Sequence, residues 1–366
     1  MRKLGLSVYP KYDSVEAIIH YLQQAQLCGF SRIFTCLISA HDAQELKKMQ
    51  VIHRRANEMG FEIFADVNPS VFSQLHLTYH DLSYFKDELY LSGIRLDLGF
   101  SGAEEAEMSF NSSGLKVELN ISSGTKYIEN ILSYQPDRDN LVGCHNFYPH
   151  RYTGLSRRQF LATSELFKKY DLRTAAMISS ANGRFGPWAV IDGGLPTLEA
   201  HRGLPITVQA RDLWHTGLID DLIIGNMYAS DEELKALGSL NRNLLQLDVV
   251  LSEADSDVER KIILEEPHTN RGDVSDYMIR STMTRVKYGR EDFPPHDTRH
   301  IIPGDVLIDN NGYTRYKGEL QIALKEMENS GNTTIVGRIV PEERYLLDVI
   351  RPWDHFLLRE APAQLR

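Results

Sequence analysis

Hydrophobic and polar positions follow two alternating rhythms over the first two thirds of the chain. Short runs with period two predict strands at "LGLSVY" (4–9), "RIFTCLI" (32–38), "FEIFADV" (61–67), "IRLDLG" (94–99), "LKVELN" (115–120), "LVGCHN" (141–146), "RTAAMIS" (173–179) and "DLIIGN" (221–226). Amphipathic stretches with helical spacing lie between them. "SVEAIIHYLQQAQLCG" has Ser14 as its expected N-cap and ends at Gly29, and "AQELKKMQVIHRRANEMG" ends at Gly60. "PITVQARDLWHTG" repeats the pattern between Pro205 and Gly217. Eight such strand–helix units predict an α/β fold of the (β/α)8 TIM-barrel type over residues 1–246. An open doubly wound sheet is the competitor, weakened because no GxGxxG follows the first strand. Beyond residue 247 the pattern becomes short alternating runs punctuated by Pro303-Gly304, Asn310-Asn311-Gly312 and Gly331-Asn332. It predicts a second, mostly β domain over 247–366, closed or nearly closed.

Alternation also sorts side chains between the barrel lumen and the outer helices. In strand four Ile94, Leu96 and Leu98 are expected outward, which leaves Arg95 and Asp97 inward. In strand five Lys116, Glu118 and Asn120 face inward, in strand three Phe64, Asp66 and Asn68, and in strand one Ser7 and Tyr9. Three neighbouring strands therefore offer carboxylates, Asp66, Asp97 and Glu118, near the C-terminal ends where barrel active sites are built. Crowding and burial push some carboxyl pKa values up, which separates an acid from an ionised partner, as glycoside cleavage requires. Arg95 and Lys116 are at hand as salt-bridge partners, the structural alternative for any one of these acids.

The loops add polar and aromatic hardware. "CHNFYPHRYTGLS" (144–156) places His145 and Asn146 behind strand six, as hydrogen-bonding groups for a sugar, with Tyr148 and Tyr152 as ring-lining aromatics. A metal site at His145 with the carboxylates lacks the support of an HxH or HExxH pattern, and a Ser or Cys nucleophile lacks a GxSxG. The long loop 179–205 brings Ser179, Ser180, Asn182 and Arg184 where anion sites of such barrels lie, and adds Glu199, His201 and Arg202. Asn226 ends strand eight, where Gly225 would let backbone approach a ligand. In the second domain "NRGDVSDYMIRST" (270–282) clusters Arg271, Asp273 and Arg280, a chemistry apt for anions or for a solvated ion-paired face.

Charge narrows the partners. The 366 residues carry a formal net charge of -10, which argues against nucleic-acid binding and means that an anionic substrate needs local donors. The apolar start stops at Tyr9-Pro10-Lys11, short of an export signal, and no run is long enough for a membrane span. Cys28, Cys36 and Cys144 form no CxxC pair, which suits free thiols and a cytoplasmic setting.

The motifs "LGLSVYP", "ADVNP", "RLDLGF", "LNIS", "HNFYPHRYTGLS", "LPTLEAHR", "DLIIGNMYAS" and "NRGD…IRST" resemble the bacterial MupG-type 6-phospho-N-acetylmuramidase family, formerly called "outer surface protein". The resemblance spans essentially the whole chain. It implies a TIM barrel followed by a cyclophilin-like β-barrel. It also implies cytoplasmic hydrolysis of N-acetylmuramic acid 6-phosphate–N-acetylglucosamine into its two sugars, in cell-wall recycling. Such a substrate carries a phosphate, a lactyl carboxylate and an acetamido group that can itself assist the reaction. On this reading Glu118 is the general acid/base, Asp97 the nucleophile or acetamido-orienting group, and Asp66 the modulator of their pKa values. Tyr9, Asn68, Asn120, His145, Asn146, Tyr148, Tyr152, Glu199, His201 and Asn226 bind the sugars, and Arg184, Arg202 and Arg280 are the anion candidates. No metal or organic cofactor is required, and a homo-oligomer stays open. A metal-dependent sugar-phosphate isomerase or epimerase and a non-catalytic sugar-phosphate sensor are the alternatives.

Overall fold

The computed structural model describes residues 1–40, 42–189 and 191–361. They fall into two units, Met1–Leu240 and Asn241–Arg366. In the first, β1 (Leu4–Ser7), β2 (Phe30–Cys36), β3 (Glu62–Val67), β4 (Gly93–Leu96), β5 (Lys116–Asn120), β6 (Leu141–Cys144), β7 (Arg173–Ile178) and β8 (Asp221–Ile224) form a closed parallel barrel in chain order. Closure runs through Leu4↔Leu222, Gly5↔Ile223 and Leu6↔Ile224. The expected α/β barrel is therefore the observed fold, and the open sheet is not.

Local signals place the elements. Ser14 accepts from the Ala17 amide and starts the helix Val15–Leu27, and Gly29 and Gly60 take positive φ where the first two helices end. The outward strand residues Ile63, Ala65, Val67, Ile94, Leu96, Leu115, Val117 and Leu119 are buried in one core with the helices. Leu98 departs from the expectation. β4 ends at Leu96, so Leu98 lies beyond the strand and is 66% exposed. Gly93 shows a close approach inside the barrel, since a Cβ there would collide with the Phe64 ring.

The second unit is a seven-stranded sheet of β9 (Leu245–Leu251), β10 (His268–Thr269), β11 (Met278–Ser281), β12 (Asp305–Asp309), β13 (Leu320–Ala323), β14 (Thr333–Ile339) and β15 (His355–Glu360). Its order is β10-β15-β9-β14-β12-β13-β11. All pairs are antiparallel except β15 with β9. Its edge strands approach each other, with the Arg271 amide donating to the Arg280 carbonyl at 3.1 Å, so the sheet is nearly closed. Because β9 begins at Leu245 and pairs only within this sheet, the division falls at 240/241 rather than at 246/247. Among the described residues no helix is long and apolar enough to cross a membrane.

Candidate active site

Two arginines organise the barrel lumen in successive layers. Arg32 on β2 crosses the floor, donating to Glu118 on β5 and, at 2.9 Å, to Asp221 on β8, with its guanidinium 4.1 Å from the centre of the Phe64 ring. Arg173 also donates to Asp221, by Nε at 3.0 Å. Above lies Arg95 on β4, fully buried. Its Nη1 meets Asp66 Oδ1 at 2.5 Å and Asp97 Oδ1 at 3.5 Å, and its Nη2 donates to Asn146 Oδ1. Its Nε faces Glu118 Oε1 at 4.0 Å.

The three expected carboxylates thus converge on one cation, but they differ in environment. Glu118 has no exposed surface and is ion-paired with Arg32 beneath Arg95. The expectation of a general acid/base there meets a physical obstacle, since this carboxylate has no accessible surface in the observed conformation, whereas Asp66 keeps 6% of its side chain exposed. Asp97, just past the end of β4, keeps a side chain 38% exposed at the mouth. Asp66 is buried, and its pKa is pushed up to about 7, by desolvation first, with Arg95 opposing and the Asp97 and Glu118 charges adding to the rise. Asp66 and Asp97 share the Arg95 Nη1 atom at 2.5 and 3.5 Å, so their contacting oxygens are at most about 6 Å apart. Lys116 takes no part, because its ammonium is at the opposite end on the Asp139 carbonyl and Asn140.

Asn146 and Tyr148 join this group. The Asn146 amide donates to Ser122 Oγ at 2.9 Å, which aims its side chain at Arg95. The Tyr148 phenol is raised by partial burial, opposed by a hydrogen bond with Ser122 and by the Arg95 charge. Asn120 lies beside them, donating to the Asp97 carbonyl at 3.2 Å. Tyr9 is buried on the other side and donates to the Gly225 carbonyl at 2.6 Å.

Several expected ligand contacts are structural in this fold. His145 points outward, fully buried, with Nδ1 on Ser122 Oγ (3.2 Å) and Nε2 on Ser164 Oγ (2.8 Å), and burial lowers its pKa to about 3. Asn68 caps the helix Pro69–Gln74 through the Val71 amide. Tyr152 is 83% exposed with φ 72°. His201 is buried on Asp212 at 2.8 Å. Glu199 accepts from the Tyr152 and Gly154 amides and from Arg202, whose hydrogen bonds are the main reason its pKa falls to about 2. Arg202 is spent on Glu199 and on the Asp192, Gly194 and Tyr148 carbonyls, so it is a strut of the loop rather than a free anion receptor. Arg280 belongs to the second unit, where it meets the buried Glu319 at 2.6 Å.

The loop after β7 builds a cavity of about 700 Å³ in the barrel unit. Ser179, Ser180, Arg184 and the first turn of the helix Ile206–His215 line it. That helix begins without a side-chain cap, and Arg184 is exposed with no side-chain partner among the described residues. Asn226 is buried here and pins the loop, accepting from the Ser180 amide at 2.9 Å and donating to the Ser180 and Gly183 carbonyls. Glu232 and Glu233 share the wall, the latter occupied by Ser180 Oγ and the Ala181 amide. Gly225 serves packing rather than ligand approach, since a Cβ there would lie 2.7 Å from the Leu195 carbonyl. Sequence reasoning missed Arg32, Asp221, Ser122 and Gln209, the last of which lines the cavity and accepts from the Ser179 amide at 2.8 Å. The first two were readable from alternation in β2 and β8, whereas Ser122 and Gln209 carry no local signal.

Comparison with known proteins agrees with this architecture. Residues 4–239 match the family model "6-phospho-N-acetylmuramidase, N-terminal" and residues 245–359 match "6-phospho-N-acetylmuramidase, C-terminal". A crystal structure of an uncharacterized B. cereus protein is 48% identical, with TM-score 0.91, covering 98% of this chain and 99% of that one. A conserved protein of unknown function from Enterococcus faecalis is 25% identical, with TM-score 0.71, covering 98% and 96%. No curated protein matches the chain. On the two family models, which together span nearly its whole length, the chain belongs to the 6-phospho-N-acetylmuramidase family of glycoside hydrolases.

Proposed function

We propose that the protein hydrolyses N-acetylmuramic acid 6-phosphate–N-acetylglucosamine, releasing the two sugars in the cytoplasm during peptidoglycan recycling. Asp66 is the general acid, and Asp97 is the nucleophile or the group that orients the substrate's acetamido oxygen for attack. The observation that carries this reading is the pairing of a buried carboxyl at about pKa 7 with a half-open carboxylate on the same Arg95 nitrogen. The first can hold a proton at neutral pH beside a second, more exposed carboxyl group, the kind of division of labour glycoside cleavage uses. An oxygen separation of at most about 6 Å favours retention, because an inverting pair stands about 6.5–9.5 Å apart to admit water.

Asn146, Tyr148 and Asn120 face the sugar beside this pair. The cavity after β7 receives the phosphate, on the Arg184 guanidinium and the uncapped amides that open the helix Ile206–His215. Glu118, Arg32 and Asp221 form a charged floor that fixes Arg95 and hence the acid pair. The three unpaired cysteines suit the reducing compartment that this role requires. The test is incubation of the phosphorylated and unphosphorylated disaccharides with the enzyme, with and without EDTA. Cleavage of the phosphorylated sugar alone, with a first-formed product of retained configuration and no EDTA sensitivity, is expected. A phosphorylated disaccharide left intact contradicts the proposal, and an inverted product contradicts the residue roles.

A further inference from the structure

We infer that the second unit holds a divalent-cation site formed by Asp255, Glu259 and His296, suited to a borderline ion such as Zn²⁺ or Mn²⁺. One ligand atom from each of the three lies within 4.8 Å of the other two. The three come from two pieces of chain. Asp255 sits in the turn after β9, Glu259 in the first turn of the helix Asp257–Glu265, and His296 in the irregular stretch before β12.

The hydrogen bonding around the cluster is that of ligands held ready. Asp255 accepts from the Ser252 amide at 3.1 Å through Oδ2, while its Oδ1 is buried with no hydrogen-bond partner among the described residues. Glu259 is buried and accepts from the Ser256 amide and hydroxyl, both at 2.7 Å, through Oε2. His296 Nε2 meets both of its oxygens, Oε1 at 3.1 Å and Oε2 at 3.2 Å. His296 Nδ1 is likewise buried without a partner. Each carboxylate is thus anchored through one oxygen by a backbone amide, the kind of outer-shell contact that orients metal ligands. Buried polar atoms without partners are rare and call for a cause, which a bound ion supplies for Asp255 Oδ1.

Ligands about 2.0–2.2 Å from zinc stand about 3.3–3.6 Å apart in tetrahedral geometry, so a contraction of about an ångström closes this group on an ion. A mixed imidazole and carboxylate set suits Zn²⁺ and Mn²⁺ better than Ca²⁺. The ion acts as a staple. Between the helix Met283–Tyr288 and β12 the chain has almost no regular structure, and His296 is where it would be pinned to the helix that follows β9. The site lies outside the barrel and does not depend on the proposed reaction.

The full chain, stripped with chelator and dialysed, is titrated calorimetrically with ZnCl₂ and separately with MnCl₂. One saturable equivalent is expected for at least one ion, with a thermal midpoint several degrees higher when it is bound. Asp255→Asn and His296→Gln should each weaken binding by more than about 10-fold and abolish the thermal shift. In the parent protein Mn²⁺ should broaden amide resonances around 255–259 and 296, a readout that needs no variant. Absence of saturable binding, unchanged binding in both variants, or broadening centred elsewhere overturns the inference.

Discussion

At the scale of single residues, Arg95 decides what each acid can do. It draws Asp66 and Asp97 together and roofs over Glu118, so equal-looking carboxylates have unequal fates. Asp97→Asn should lower kcat by at least about 100-fold with little change in thermal midpoint, measured by steady-state kinetics beside calorimetry. Glu118→Gln should instead act on stability. It removes one of the two carboxylate partners of the buried Arg32 and costs at most about 3–5 kcal/mol, read by denaturant unfolding. An unchanged midpoint in Glu118→Gln would return that residue to the chemistry.

Asp66 gives a pH signature. Its folded-state pKa of about 7 lies above the ordinary value of about 3.9, so the folded protein keeps a proton that the unfolded chain releases between the two. Stability therefore falls as pH rises through that window and levels off above it. The acid-dependent limb of kcat/KM falls as pH passes about 7. Asp66→Asn should remove both effects, seen in pH-dependent unfolding and in rate profiles at the residual activity. Arg184→Ala should raise KM for the phosphorylated substrate about 10- to 100-fold, the worth of a charged hydrogen bond.

At the scale of elements, the alternation rule accounts for what was legible. It placed Arg95 and the three carboxylates toward the lumen because each sits on or beside a regular strand. The same rule, carried through β6, separates His145 from Asn146, since neighbours on extended chain face opposite ways. Asn146 accordingly meets Arg95 while His145 meets Ser164 on the outer helix. Alternation is no longer a guide at Leu98, two residues past the end of β4 and exposed. It is silent about loops, where Arg202, a candidate anion receptor by chemistry, is spent on backbone carbonyls and Glu199. No sequence pattern encodes that choice, because it depends on where two distant loop segments meet. The same loop offers a test of its own support. Asn226→Ala frees the Ser180 amide and two carbonyls, at a cost of about 1–3 kcal/mol. Faster amide exchange over residues 179–183 and a raised KM with kcat little altered are expected.

At the scale of the whole molecule, eight punctuated strand–helix units and then a change of rhythm make both units legible in the sequence. The boundary was displaced by a few residues because the run "LLQL" serves as the start of β9 rather than as the end of a barrel helix. Apolar residues fix that a segment is buried, not which sheet buries it. The proposed substrate is anionic and the molecule acidic, so positive charge has to be local; Arg32 and Arg95 lie inside the lumen and Arg184 beside the cavity after β7. The proposed reaction is cleavage of the phosphorylated disaccharide by an Asp66–Asp97 pair. Its most direct test is time-resolved NMR of that disaccharide with parent, Asp66→Asn and Asp97→Asn proteins. Rapid cleavage by the parent to a product of retained configuration, with both variants slowed by at least about 100-fold, is the predicted result. Near-parental turnover in both variants, or an inverted first product, would contradict it.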